Sequence, residues 1–115
     1  MAELRVDGDD LVLHLTAFER AEAAHGDLRV PLSAVRKVEA VEEPLREASG
    51  IRAGTGLPGV VLVATMYGSG GKRFFVVHHD THRGVRVQFD GADYEAWIVG
   101  ADNPESLIAS LHLDL

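Results

Sequence analysis

The chain has 115 residues, of which 46% are hydrophobic and 25% are charged, and its formal net charge is −7 at pH 7. This length and composition predict one globular domain covering residues 1–115. The acidic balance argues against nucleic-acid binding, which depends on neutralising phosphates with basic side chains. Because the chain has no cysteine, a disulfide framework and a thiolate metal site are excluded.

The charge is distributed unevenly along the chain. Residues 1–43 carry five basic and ten acidic side chains, residues 44–89 carry six basic and two acidic ones, and residues 90–115 carry six acidic and no basic ones. The middle third is therefore an electropositive segment of an acidic protein. It is either a solvated strand face with scattered charges or a patch that faces an anion.

The N-terminal sequence has no signal-peptide pattern. Its first residues lack the apolar core of such a peptide, and no stretch approaches the ~20 apolar residues of a membrane span. We therefore expect a cytoplasmic protein without stable membrane insertion.

Alternating apolar and polar residues predict a hairpin at the N-terminus. Residues 3–7 place Leu4 and Val6 on one face, a turn follows, and residues 11–15 direct their leucines inward. A capping-box pattern and a run of alanine and glutamate then predict a helix over residues 17–25.

Short strands are predicted to continue the chain. Residues 27–31 form a strand that ends at Pro31, and residues 32–34 suit a single turn. Residues 36–42 are ambiguous because their valines lie three apart, as in a helix, but the β-branched content favours a strand. Residues 44–50 suit one or two helical turns. The glycines and Pro58 predict an irregular connection over residues 50–59.

The strongest strand signal is a central hairpin of residues 60–67 and 72–79. The first of these strands is apolar on both faces, which is typical of a strand covered on two sides. Two further strands are predicted at residues 84–90 and 94–100. Asn103, Pro104 and Glu105 then carry the signals of a helix start. Its predicted buried stripe consists of Leu107, Ile108, Leu111 and Leu115.

The order of these elements predicts a mainly β, β-rich α+β fold. Seven to eight antiparallel strands would form a barrel or sandwich capped by the C-terminal helix, an order that resembles the pleckstrin-homology-like superfold. Residues 28–35, 50–59, 75–79 and 99–105 are similar to a group of small actinobacterial proteins with bacterial pleckstrin-homology-like domains. This resemblance implies the fold, and several bacterial domains of this kind associate as homo-oligomers. The helix at residues 17–25 is an insertion that the plain superfold does not need.

One candidate binding surface combines a glycine-rich loop, residues 54–59, with the basic residues of the middle third. Consecutive amides near glycines can form a nest for an anion. The loop matches neither a P-loop nor a dinucleotide fingerprint, so a packed loop is the alternative interpretation. The early hairpin is acidic, which disfavours phosphoinositide binding. The candidate ligand-binding residues are Arg52, Gly54, Thr55, Gly56, Lys72, Arg73 and Arg86.

A second candidate is a metal site at His78, His79 and His82. Imidazole suits zinc or nickel, but adjacent residues on a strand point to opposite faces, so His78 and His79 cannot both join His82. The alternative interpretation is one hydrogen-bonded histidine and two solvated ones. No serine lies in a nucleophile-elbow context.

These observations predict a non-enzymatic binding or scaffold module without a cofactor. Its partner would be an acidic protein segment, a small anion or a second copy in a homo-oligomer. The alternative function is a metal- or anion-dependent enzyme that uses the three histidines.

Overall fold

The described part of the chain folds into two β-sheets and a C-terminal helix. The structure, a computed structural model, describes residues 2–17, 27–44, 51–53, 61–68, 70–78 and 82–113. The first sheet has the order β1-β2-β3 and consists of β1 (Glu3–Asp7), β2 (Asp10–His14) and β3 (Leu28–Pro31). The second has the order β4-β8-β9-β7-β6-β5 and consists of β4 (Val35–Glu42), β5 (Ile51–Ala53), β6 (Val61–Gly68), β7 (Gly71–His78), β8 (Arg83–Phe89) and β9 (Ala96–Gly100). Helix α1 spans Pro104–Leu111.

The predicted N-terminal hairpin is confirmed. Leu4 pairs with Leu13 and both side chains are buried, as the alternating pattern requires. Val6 was predicted on the same face as Leu4, yet it is 39% exposed. The difference arises because Val6 lies near the end of β1, next to the turn at Gly8.

A short 3₁₀ helix, Leu32–Ala34, separates the two sheets. Its ends are fixed by backbone hydrogen bonds, from the Leu32 amide to the Asp9 carbonyl at 2.8 Å and from the Asp90 amide to the Ala34 carbonyl at 2.9 Å. The chain then enters β4, so the strand interpretation of residues 36–42 is confirmed.

The predicted mainly β, β-rich α+β fold is confirmed, but of the two predicted forms, barrel or sandwich, a closed barrel is wrong. In the described part of the chain no ladder joins β3 to β4, because the 3₁₀ helix redirects the chain after Pro31. Strand β4 pairs with β8 instead. The two sheets are therefore separate layers, and their facing surfaces enclose the core.

The strands are also not all antiparallel. Strand β9 lies between β8 and β7; it is antiparallel to β8 and parallel to β7. The chain leaves β7, passes over the position of β9 to form β8, and returns, so β9 runs in the direction of β7. A parallel pair needs such a crossover connection.

Strand β5 was not predicted. The sequence suggested an irregular segment over residues 50–59, but Ile51–Ala53 pairs with β6. The breaking residues, Gly54 to Gly59, all follow Ala53, so they do not interrupt this short ladder. The central hairpin itself is confirmed as β6 and β7.

The six-stranded sheet is apolar on both faces. On β7, Phe74 and Val76 belong to the main core between the sheets, whereas Phe75 and Val77 belong to a second cluster on the opposite face. All four are at most 1% exposed. Burying each such side chain contributes about 1.5–3 kcal/mol to stability. The prediction that the first strand of the hairpin is covered on both sides is also confirmed, since on β6 Val63 belongs to the main core and Met66 to the second cluster.

Helix α1 begins where its cap predicts. The Asn103 side chain accepts a hydrogen bond from the Ser106 amide at 3.1 Å, and Pro104 occupies the first helical position. Leu111 is buried, and Leu107 and Ile108 are half-buried against the main core. Leu115 lies outside the described residues.

Two predicted helical segments are not tested. Apart from Ala17, the helix at residues 17–25 lies outside the described residues, and so does nearly all of the segment 44–50. In the described part of the chain, no helix has the length and apolar character needed to cross a bilayer.

Candidate functional site

A cavity of about 490 Å³ opens between the edge strand of the small sheet and the β8–β9 turn of the large sheet. One wall is the stretch from Asp27 to Pro31, and the other is the turn from Gly91 to Tyr94. Lys72 and Trp97 complete the lining. The cavity lies where β3 and the large sheet meet, and no ladder joins them in the described part of the chain.

The turn that forms the second wall is held by backbone hydrogen bonds. The Glu95 amide donates to the Lys72 carbonyl at 2.8 Å, and the Phe89 amide donates to the Glu95 carbonyl at 2.9 Å. Gly91 has a φ of 78°, a left-handed conformation that favours glycine. These constraints place Tyr94 beside β7.

Lys72 lies over the ring of Tyr94, with its Nζ 4.6 Å from the ring centroid. Tyr94 is in turn packed edge-on against Phe74, with ring centroids 6.2 Å apart. A cation held on an aromatic face is stabilised by the ring quadrupole. The ammonium group is thus positioned at the cavity wall while it keeps its hydrogen-bond donors.

Trp97 is the most buried residue of the lining. Its side chain is fully buried and packs edge-on against Phe89, with ring centroids 4.8 Å apart. Among the groups that the structure describes, none accepts a hydrogen bond from the indole Nε1, although that atom is buried. Buried polar groups nearly always have a partner, so this donor requires an explanation.

The first wall carries two sets of paired polar side chains. Asp27 accepts hydrogen bonds from the Leu15 amide at 3.0 Å and lies 2.7 Å from Nδ1 of His14. Arg29 donates to Asp10 and Asp7, each at 2.9 Å. These hydrogen bonds, first from Asp10 and then from Asp7, raise the pKa of Arg29.

The predicted basic face is divided by the sheet. Lys72 and Arg73 are consecutive on β7, so they point to opposite faces. Arg73 and Arg86 line a separate cavity of about 190 Å³ with Gln88 and Glu95. The structure therefore brings Arg73 and Arg86 together and places Lys72 elsewhere.

Acidic side chains accompany the arginines of this second cavity. Glu39 accepts hydrogen bonds from Arg86, one of them 2.9 Å long from Nε, and its other oxygen lies 3.2 Å from Nζ of Lys37. The hydrogen bond from Arg86 lowers the pKa of Glu39, so the pair remains ionised at neutral pH. A large part of the positive charge on this face is thus already balanced.

The glycine loop cannot be placed. The register puts Arg52 opposite Met66, which is itself opposite Arg73. Gly54, Thr55 and Gly56 lie outside the described residues. The predicted anion nest therefore stays a prediction.

The histidine site is described only in part. His78 ends β7 and is half-buried, His82 is exposed and its carbonyl accepts a hydrogen bond from the Glu43 amide at 2.9 Å, and His79 lies outside the described residues. Among the described residues no group of three His, Asp or Glu side chains is arranged to hold a metal ion. The three-histidine hypothesis stays untested.

Comparison with known proteins identifies no relative. No protein-family model, curated protein or solved structure matches the chain. Functional inference consequently rests on the geometry of the chain itself.

Sequence reasoning missed most of the residues at the larger cavity. Of the predicted site residues only Lys72 lines it, whereas Tyr94, Trp97 and Arg29 were assigned to strands and turns. The available signal was Trp97 itself, the only tryptophan of the chain, on a strand whose other residues are small or aliphatic. An indole requires a hydrogen-bond partner when buried.

Proposed function

We propose that the protein is a non-enzymatic binding module that holds a small ligand in the 490 Å³ cavity between its two sheets. The observation that carries this proposal is the cavity itself, which lies between the two sheets and combines the rings of Tyr94 and Trp97 with the Lys72 side chain.

The size and lining of the cavity support the same function. Small-molecule sites typically have volumes of about 300–1,000 Å³, aromatic and aliphatic walls and a few polar groups. This cavity has Tyr94 and Trp97 as aromatic walls, with Leu28 and Val30 as aliphatic ones. The resemblance to pleckstrin-homology-like domains is compatible with a binding role but does not identify a ligand.

The chemistry of the lining favours binding over catalysis. The described lining residues include no serine, cysteine, threonine or histidine. The groups there that could transfer a proton are Lys72, Asp27, Asp93 and Tyr94. Of these, Lys72 is held against the ring of Tyr94. Asp27 has both oxygens engaged, by His14 and by the Leu15 amide. We therefore assign the cavity to recognition.

The test is a screen of a chemically mixed fragment set, followed by NMR. The single tryptophan has one indole N–H resonance, which reports directly on the cavity. We expect fragments to shift this resonance, and Ala92→Phe, which fills part of the cavity, to weaken their binding. Ala34→Phe is the matched control, since Ala34 is also half-buried against the main core but does not line the cavity.

Two results would contradict the proposal. One is that no fragment of any charge shifts the Trp97 indole resonance. The other is that Ala92→Phe and Ala34→Phe change fragment binding equally, because binding would then occur elsewhere.

The proposed partners include a second copy of the chain or an acidic protein segment that contacts Arg73 and Arg86. The grouping of these two arginines supports a contact, and the neighbouring Glu39 and Glu95 weaken it. Light scattering over a concentration series tests self-association. If the chain remains monomeric at high concentration, the proposed homo-oligomer is wrong.

A further inference from the structure

Strand β4 forms one edge of the large sheet, and among the strands that the structure describes none pairs with its outer side. With eight residues it is the longest of the described edge strands, since β1 has five, β3 has four and β5 has three. Its side chains at Lys37, Ala40 and Glu42 are exposed. A long, uncovered edge offers backbone hydrogen-bonding groups to another strand.

The ladder between β4 and β8 shows which backbone groups of β4 point outward. The Glu43 amide donates to the His82 carbonyl at 2.9 Å, so every second residue back along β4 also directs its N–H and C=O groups to β8. The Ala101 amide donates to the Arg83 carbonyl at 3.0 Å, so the groups of Arg83 point to β9 and not to β4. Both observations give the same set of β4 residues whose backbone groups point away from the sheet: Val38, Ala40 and Glu42.

A second copy of the chain can pair with all of these groups at once. In an antiparallel pair of two β4 strands centred on Ala40, Ala40 faces Ala40 of the second copy, and Val38 faces Glu42 of the second copy. Every outward residue then faces another outward residue, as a hydrogen-bonded pair requires. Centring the pair on Val38 would instead place Ala40 opposite Arg36, which lies in the bulge of β4 where the alternation is interrupted.

The charges along β4 favour the same centre. With Ala40 at the centre, Glu39 faces Val41 of the second copy, and no like charges are directly opposed along residues 38–42. Centring the pair on Glu39 would place two glutamates opposite each other, and centring it on Val41 would place Glu39 opposite Glu43. Like charges that face each other directly destabilise a strand pair.

We propose that two copies of the chain pair through the free edges of β4, antiparallel about a twofold axis at Ala40. The two large sheets then form one continuous sheet. This proposal names the surface for the second copy proposed above, and it does not depend on the ligand cavity. We expect a weak dimer, because a single strand pair buries little surface compared with the ~1,200 Å² of a stable interface.

The first experiment removes the backbone donor at the centre of the pair. Ala40→Pro deletes an N–H that points outward, so the variant keeps every hydrogen bond from β4 to β8. Analytical ultracentrifugation measures dimerisation from about 10 μM to about 1 mM, the range in which we expect the wild-type chain to dimerise. Ala40→Pro should dimerise at least about tenfold more weakly, because two intermolecular hydrogen bonds are lost. Ala40→Ser is the matched control, since it keeps the N–H and a small side chain.

The second experiment tests the register with side-chain charge and leaves the backbone unchanged. Ala40→Lys alone and Ala40→Glu alone each place like charges at the twofold axis, whereas an equimolar mixture of the two variants places opposite charges there. We expect the mixture to dimerise about fivefold more tightly than either variant alone. Circular dichroism of each variant checks that it is folded.

The possible failures are distinct. If the wild-type chain stays monomeric over the whole concentration range, the β4 pairing and the proposed self-association are both wrong, while ligand binding in the cavity is unaffected. If the chain dimerises but Ala40→Pro dimerises as tightly as Ala40→Ser, self-association stands and the β4 surface is wrong. A mixture of Ala40→Lys and Ala40→Glu that dimerises no more tightly than the separate variants overturns the pairing at Ala40. The mixture also decides the proposal if Ala40→Pro does not fold.

Discussion

Replacing Trp97 by phenylalanine tests whether its indole N–H makes a hydrogen bond within the protein. Trp97 is fully buried and packs against Phe89. The smaller ring leaves roughly 40 Å³ unfilled, which at about 24 cal/mol per Å³ lowers the free energy of unfolding by about 1 kcal/mol. The apolar atoms that are removed account for about 1 kcal/mol more.

The expected total loss is therefore at most about 2 kcal/mol, because removing an unpaired buried donor offsets part of it. If the N–H had a buried protein acceptor, that acceptor would be left unpaired and would add about 1–3 kcal/mol. Urea denaturation followed by far-ultraviolet circular dichroism measures the difference, since the variant has no tryptophan to follow by fluorescence.

Phe74→Leu is the control. Phe74 is equally buried in the same core and carries no polar atom, so its loss is purely one of packing. We expect Trp97→Phe to be destabilised no more than Phe74→Leu. A loss of about 4 kcal/mol or more for Trp97→Phe, well above that of Phe74→Leu, would refute the reasoning because it would reveal a partner for the indole.

Three further predictions concern the fold around the site. Gly84→Ala should lower the free energy of unfolding by about 1–3 kcal/mol, since the new Cβ would lie 2.5 Å from a backbone oxygen of β9. Asn103→Ala should lower it by about 1 kcal/mol through loss of the helix cap, measured by thermal unfolding. Glu39→Gln should make the free energy of unfolding fall less steeply as the pH is lowered. The pKa of Glu39 is lowered in the folded protein by Arg86, so its contribution is complete above about pH 4.3 and is lost as the pH falls through the lowered pKa.

Each of these three predictions has a control variant or a result that would contradict it. Gly8→Ala adds a side chain where nothing lies within 4 Å but φ is 62°, so its destabilisation arises from backbone strain alone. Asn103→Asp retains a capping oxygen and should keep most of the stability. Glu39→Gln fails as a prediction if its unfolding free energy differs from that of the wild type by the same amount at pH 7 and pH 3.

Most elements could be predicted from the sequence because local patterns determine them. The hairpins, β4 and helix α1 follow from alternation, turn residues and the Asn103 cap. The arrangement of the strands in the two sheets could not be predicted in this way, because it depends on pairing between strands that are distant in the sequence. The position of β9 between β8 and β7 has no local signal, because its residues suit either a parallel or an antiparallel neighbour.

The candidate site was harder to predict for a related reason. The sequence grouped Lys72 with Arg73 by adjacency, yet adjacency on a strand sends side chains to opposite faces. The cavity instead combines Lys72 with Tyr94 and Trp97, from a turn and a different strand. Only the packing of the two sheets brings these side chains together.

The insertion of β9 between two earlier strands has a consequence for the order of folding. Until residues 96–100 are available, β7 and β8 each present an unpaired edge. These two edges are paired only when β9 is inserted between them, late in folding. Unpaired strand edges recruit other chains, and contacts that close late slow folding. A nascent or truncated chain that ends before Ala96 should therefore aggregate, whereas a chain that includes β9 closes its large sheet.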